Sequence, residues 1–203
     1  MKDISGGAAR VTPRSVGGAW MEVRDAAVRA TGRGWPVVPG VCRPDEWGFS
    51  AVAPLEDTWD IAPVTDPERA EELWTQRRHV GVLLVCGRGI DVLEVPFRLI
   101  EALPALGDRG LVVPIATVLA PSRWVLLVAT GSGALRPELA AASVRLRGIG
   151  QWVALPPTTL GGYPPVRWTV EPPEDRAVRL PGTEEVQRVL AETLHSERPE
   201  ARG

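Results

Sequence analysis

The chain has 203 residues, 44% apolar and 24% charged, the balance of a globular protein able to bury one real core. Its formal net charge of −2 supplies no global pull towards nucleic acid or an anionic membrane, so any such contact needs a local basic patch. No apolar run approaches a membrane span and the N-terminus carries no signal-peptide core, so a cytoplasmic protein that does not engage a membrane is expected.

Residues 1–17 are Gly-rich and aperiodic and read as a disordered arm, followed by one domain over 18–195 and a polar tail over 196–203. Over 19–30, Trp20, Val23, Ala27 and Ala30 recur at helical spacing, and Gly32 and Gly34 stop the helix. Residues 35–39 read as a short strand whose prolines suit a sheet edge. Pro44, Gly48, Pro54 and Pro63 make 40–64 irregular, with Trp47 and Trp59 as anchors. In Asp66-Pro67-Glu68, Asp66 can cap free amides, Pro67 suits the first helical position and Glu68 favours the positive end of the dipole. That helix should run to about Gln76 and bury Leu73 or Trp74.

Residues 80–85 have a buried-strand pattern and 90–95 a second, with Gly87-Arg88-Gly89 between them as for a hairpin. A helix over 97–106 ends at Gly107. Strands over 112–119 and 124–129 flank a tight turn containing Pro121 and Ser122. A short helix over 137–142, short strands over 144–146, 151–155 and 166–170, and an amphipathic helix over 183–194 complete the chain. Helices mixed with mostly antiparallel strands define the α+β class.

Chemistry-bearing constellations are few. Cys42 and Cys86 have no metal-ligand spacing and read as reduced thiols. His79 and His195 suggest no nucleophilic triad, and Gly87-Arg88-Gly89 is too short for a phosphate loop. Lys2 is the only lysine; together with 21 Gly and 20 Pro, the arginine bias points to a GC-rich genome and makes an abundant arginine weak evidence of function.

Several segments, in order, resemble the N-terminal domain of bifunctional DNA primase/polymerases, within the archaeo-eukaryotic primase superfamily. They are Gly32-Arg33-Gly34-Trp35-Pro36-Val37, Thr65-Asp66-Pro67-Glu68, His79-Val80-Gly81-Val82, Gly89-Ile90-Asp91-Val92-Leu93-Glu94-Val95 and Gln151-Trp152-Val153-Ala154-Leu155-Pro156-Pro157-Thr158, followed by Trp168. The resemblance implies a two-layer primase–polymerase-like fold with an RRM-like, mostly antiparallel sheet flanked by helices. It implies metal-assisted nucleotidyl transfer, in which two acids one residue apart on a strand hold Mg or Mn, with a histidine and a third acid nearby.

Aligned on that pattern, Glu94 takes the first acid's place and Pro96 the second's. Trp124 stands for the histidine, and Arg145 is nearest to the third acid. Asp91 and Glu94 are the remnant catalytic or metal residues, but their odd offset puts them on opposite faces of an extended strand. The degenerate acidic strand is similar to versions found in actinobacteria. The resemblance thus implies a catalytically inactive module with no bound cofactor and a nucleotide or single-stranded nucleic acid as ligand. Arg123, Arg145, Arg147 and Arg167 would line its groove, with Trp124 as the base-stacking residue among the eight tryptophans. Two alternatives stand beside this: an active primase/polymerase in which a bulge brings Asp91 and Glu94 together, and a regulatory module that binds a protein partner and no nucleotide.

Overall fold

Every residue of Val82-Leu83-Leu84-Val85 is buried, so both faces of that strand need a cover. The computed structural model describes residues 16–44, 50–119, 122–161, 163–175 and 178–196 and supplies that cover with two sheets and surrounding helices. The four-stranded sheet runs in the order Ser50–Pro54 (β2), Val37–Pro44 (β1), Gly81–Val85 (β3), Trp152–Ala154 (β8). The five-stranded sheet runs Arg145–Arg147 (β7), Ile90–Pro96 (β4), Ser122–Ala129 (β6), Ile115–Leu119 (β5), Arg167–Val170 (β9). Every pairing within both sheets is antiparallel. The helices are Val16–Thr31 (α1), Pro67–Gln76 (α2), Pro104–Asp108 (α3), Pro137–Ala141 (α4) and Thr183–Ser196 (α5). The α+β class with a mostly antiparallel sheet is borne out.

The five-stranded sheet is the middle of the molecule. Val92, Val125 and Leu127 point from one face into a core shared with Val82 and Leu84 of β3, Ala27 and Ala30 of α1, and Ala70 and Trp74 of α2. Leu93, Val95, Leu126 and Val128 point from the other face against Val186, Val189 and Leu190 of α5. Each fully buried leucine here stabilises the fold by ~1.5–3 kcal/mol relative to exposure. A smaller cluster covers the outer face of the four-stranded sheet, where Trp59 meets Trp152 edge-on with ring centroids 4.9 Å apart.

The α2 helix forms as its sequence dictates. Asp66 accepts a hydrogen bond from the Arg69 amide at 2.8 Å, Pro67 occupies the first turn, and Trp74 is the buried anchor. Helix α1 begins at Val16, before the expected 19, so it takes in the last residues of the expected arm. The rest of that arm, Trp47, and all of the tail beyond Ser196 lie outside the described residues.

Three expectations are corrected. The β3 and β4 strands do not form a hairpin: β3 pairs with β1 and β8, while β4 pairs with β6 and β7. The turn between them carries the chain from one sheet to the other, with Gly87 and Gly89 at φ 82° and 89°. A Cβ on Gly87 would lie 2.5 Å from Ile149, so that position also demands glycine by contact.

The segment read as irregular contains the β1–β2 hairpin, and β1 is therefore an inner strand, not an edge. Pro39 is tolerated there because its carbonyl, and hence its missing N–H, faces the side where β2 has ended: the Leu55 amide closes onto the Pro39 carbonyl at 2.9 Å. Finally, the expected helix over 97–106 is a 3-10 segment, Phe97–Ala102, followed by the separate α3, because Pro104 starts a new turn and Leu99 is non-helical.

Candidate functional site

Residues opposite one another in an antiparallel pair share a face. On β4, Glu94 stands opposite Arg145 of β7 on one side and Val125 of β6 on the other. Two residues away in either direction, Val92 stands opposite Arg147, and Pro96 opposite Arg123. The register therefore gathers Glu94, Arg123, Arg145 and Arg147 on one face of the five-stranded sheet, beside the core that packs against the other sheet.

Glu94 is committed to an arginine. Arg147 Nε donates to Glu94 Oε1 at 2.9 Å and its Nη2 to Oε2 at 3.3 Å, a two-pronged pair. The Glu94 side chain is only 13% exposed, so losing that partner would leave a largely buried carboxylate unpaired. Arg145 is exposed and has no acid partner among the described residues.

A turn after α4 holds two more guanidinium groups. Arg123 donates to the Ser143 carbonyl and Arg98 to the Ala142 carbonyl, both at 2.5 Å. Ser143 adopts φ 63°, and the strand bearing Arg145 and Arg147 follows it directly. Burial, and then repulsion from Arg145, hold Arg123 below the ordinary arginine value; Arg98 and Arg147 add to the lowering, and Glu94 opposes it. Arg98, Arg145 and Arg147 thus all repel the Arg123 charge, with the Glu94 carboxylate as the opposing influence.

Asp91 is elsewhere. It is 1% exposed and accepts from the Thr130 hydroxyl at 3.2 Å and the Gly131 amide at 3.4 Å, on the face opposite Glu94. Cys86, buried at the end of β3, is affected by both acids: burial first, then Asp91, push its thiol up to about 12, with Glu94 adding and Arg147 opposing.

Trp124 stands opposite Val95 and packs against Phe97 with ring centroids 4.7 Å apart, so it too lies on the face away from Glu94. Its indole nitrogen is buried without a hydrogen-bond partner among the described residues. Arg167, opposite Thr117, which is itself opposite Trp124, shares that far face. The structure therefore brings together three of the four arginines expected at a groove and sets Arg167, Trp124 and Asp91 apart from them. Arg98 was not anticipated: no motif marks it, and only the long-range contact with Ala142 brings it to Arg123.

The donor set does not fit a divalent-metal centre. Both oxygens of Glu94 are bonded to Arg147, Asp91 faces the other way, and Pro96 offers no ligand. No group of three His, Cys, Asp or Glu side chains converges as metal ligands among the described residues. What the face can do is offer N–H donors and positive charge to an oxyanion.

The fold is an α+β domain whose central antiparallel sheet carries Glu94, Arg123, Arg145 and Arg147 on one face. The chain belongs to the family described as bifunctional DNA primase/polymerase, N-terminal, whose model matches residues 27–183. A search of curated proteins finds no match. No described helix is long and apolar enough to cross a membrane.

Proposed function

We propose that this primase/polymerase-family domain binds the phosphates of a nucleotide or single-stranded nucleic acid and does not transfer nucleotides. The observation that carries this reading is the Arg147–Glu94 pair, with Arg145 and Arg123 beside it on the same face. Two-metal nucleotidyl transfer requires carboxylates free to bridge cations, and here the one carboxylate on the face among the described residues is already engaged. Arginine suits phosphate through its planar fork of donors, and an exposed Arg145 has donors to spare.

The test has two parts. Template-dependent extension with magnesium or manganese should give no product, and product that is lost in Glu94→Ala would overturn the inactive reading. Binding of single-stranded DNA should weaken as salt rises, with a log–log slope of about −0.7 for each phosphate contacted. Arg123→Ala and Arg145→Ala should each flatten that slope. Absence of nucleotide and DNA binding at low salt would instead favour a protein-interaction module.

A further inference from the structure

The misfit between the donor set and a metal has a consequence of its own, one that rests on the phosphate-binding reading above. In a two-metal site the cations are the positive charges that hold the phosphates. On this face the positive charge comes from Arg98, Arg123, Arg145 and Arg147, grouped around Glu94. We infer that the Arg147 guanidinium takes the electrostatic place of a divalent cation, so that the face receives a polyphosphate as a metal-free anion, with Glu94 competing against it for Arg147.

The geometry supports each half of this. Arg147 already makes a charge-assisted, two-pronged contact to an oxyanion, the carboxylate of Glu94, and phosphate oxygens present the same acceptor pattern. Arg123 and Arg98 are each held through one terminal nitrogen by carbonyls of a single turn, which fixes their heads while leaving other N–H donors without a partner among the described residues. Arg145 is exposed and unpaired by any acid among the described residues. An incoming anion relieves the repulsion among these groups. A magnesium-complexed polyphosphate carries less negative charge and would bring its cation up to four guanidinium groups, an unfavourable encounter.

The sign of the Glu94 effect separates this arrangement from a metal site. If Glu94 bound a cation, neutralising it would weaken ligand binding. If Glu94 competes for Arg147, neutralising it strengthens binding.

The decisive measurement is calorimetric titration of the full chain with inorganic tripolyphosphate and with dATP, each in EDTA and again in excess magnesium. Both ligands should bind in EDTA and more weakly in magnesium. Glu94→Gln should bind tripolyphosphate roughly tenfold more tightly, since one like charge leaves the face. Arg145→Ala, an exposed change that leaves folding intact, should bind it roughly tenfold more weakly. Arg167→Ala, on the opposite face, should leave the affinity unchanged.

Binding that requires magnesium or manganese would overturn the inference while leaving the nucleotide-binding reading in place, and so would weaker binding by a folded Glu94→Gln. Binding of dATP without tripolyphosphate would also overturn it, by placing recognition outside the phosphates. No binding of either anion under any condition would overturn both. The comparison of EDTA with magnesium needs no variant, so it decides the matter even if Glu94→Gln does not fold.

Discussion

Cys86 shows how one buried atom reports on the ground between the two acids. Its thiol is held neutral, first by burial and then by Asp91, and its pKa rises from the ordinary 9.0 to about 12. A proton held more tightly in the folded state than in the unfolded chain stabilises the fold fully below pH 9, and that contribution is lost as pH climbs towards 12. Thermal unfolding measured from pH 8 to 11 should therefore show a falling midpoint, and Cys86→Ala should reduce the fall. At pH 8 a thiol reagent should modify the exposed Cys42 in the native protein and reach Cys86 only on unfolding. The separation of Asp91 from Glu94 was legible in the sequence, because an odd offset on a strand without a bulge puts the two side chains on opposite faces. The capture of Glu94 by Arg147 was not, since it depends on the register of β4 against β7.

Elements differ in how much of their structure is local. The α2 helix was readable because its cap, its proline and its tryptophan act within a few residues of one another. Asp66→Ala should lower stability by ~1 kcal/mol in urea titration, the usual cost of losing such a cap. The β3–β4 turn was only half readable. Its glycines announce a reversal, but composition does not say which sheet each strand joins. Gly87→Ala tests the reading of that turn: the left-handed backbone alone costs ~1–2 kcal/mol, and contact with Ile149 adds to it. Gly89→Ala has the same backbone cost but no contact within 4 Å, so it should be the milder of the two. The β1–β2 hairpin was hidden by its own residues. Proline and glycine argue against a strand by propensity, yet Gly40 is needed where Leu83 lies 2.6 Å from any added Cβ.

At the scale of the whole molecule, the five-stranded sheet supplies buried side chains to both major cores. Stripping α5 from one face would leave the sheet that walls the other core exposed. Unfolding in urea should accordingly be one event, with far-ultraviolet circular dichroism and tryptophan fluorescence giving coincident midpoints. Separate midpoints would mean that the two layers are independent. The same sheet explains why the arginine face was only partly foreseen. Arg123, Arg145 and Arg147 lie on strands whose existence the sequence announced, but Arg98 joins them through a turn more than forty residues away. Trp124 and Arg167 were expected beside them and fall on the far face, because cross-strand register, not order along the chain, assigns the faces.

The register at Pro96 also bears on what a single substitution could achieve. Pro96 lies directly opposite Arg123, just as Glu94 lies opposite Arg145. An acid introduced at 96 would stand beside the positive charge of Arg123, while Glu94 stayed bound to Arg147. No single substitution on this strand gives a pair of free carboxylates. A pair of free carboxylates at 94 and 96 would need an arginine removed as well as an acid supplied.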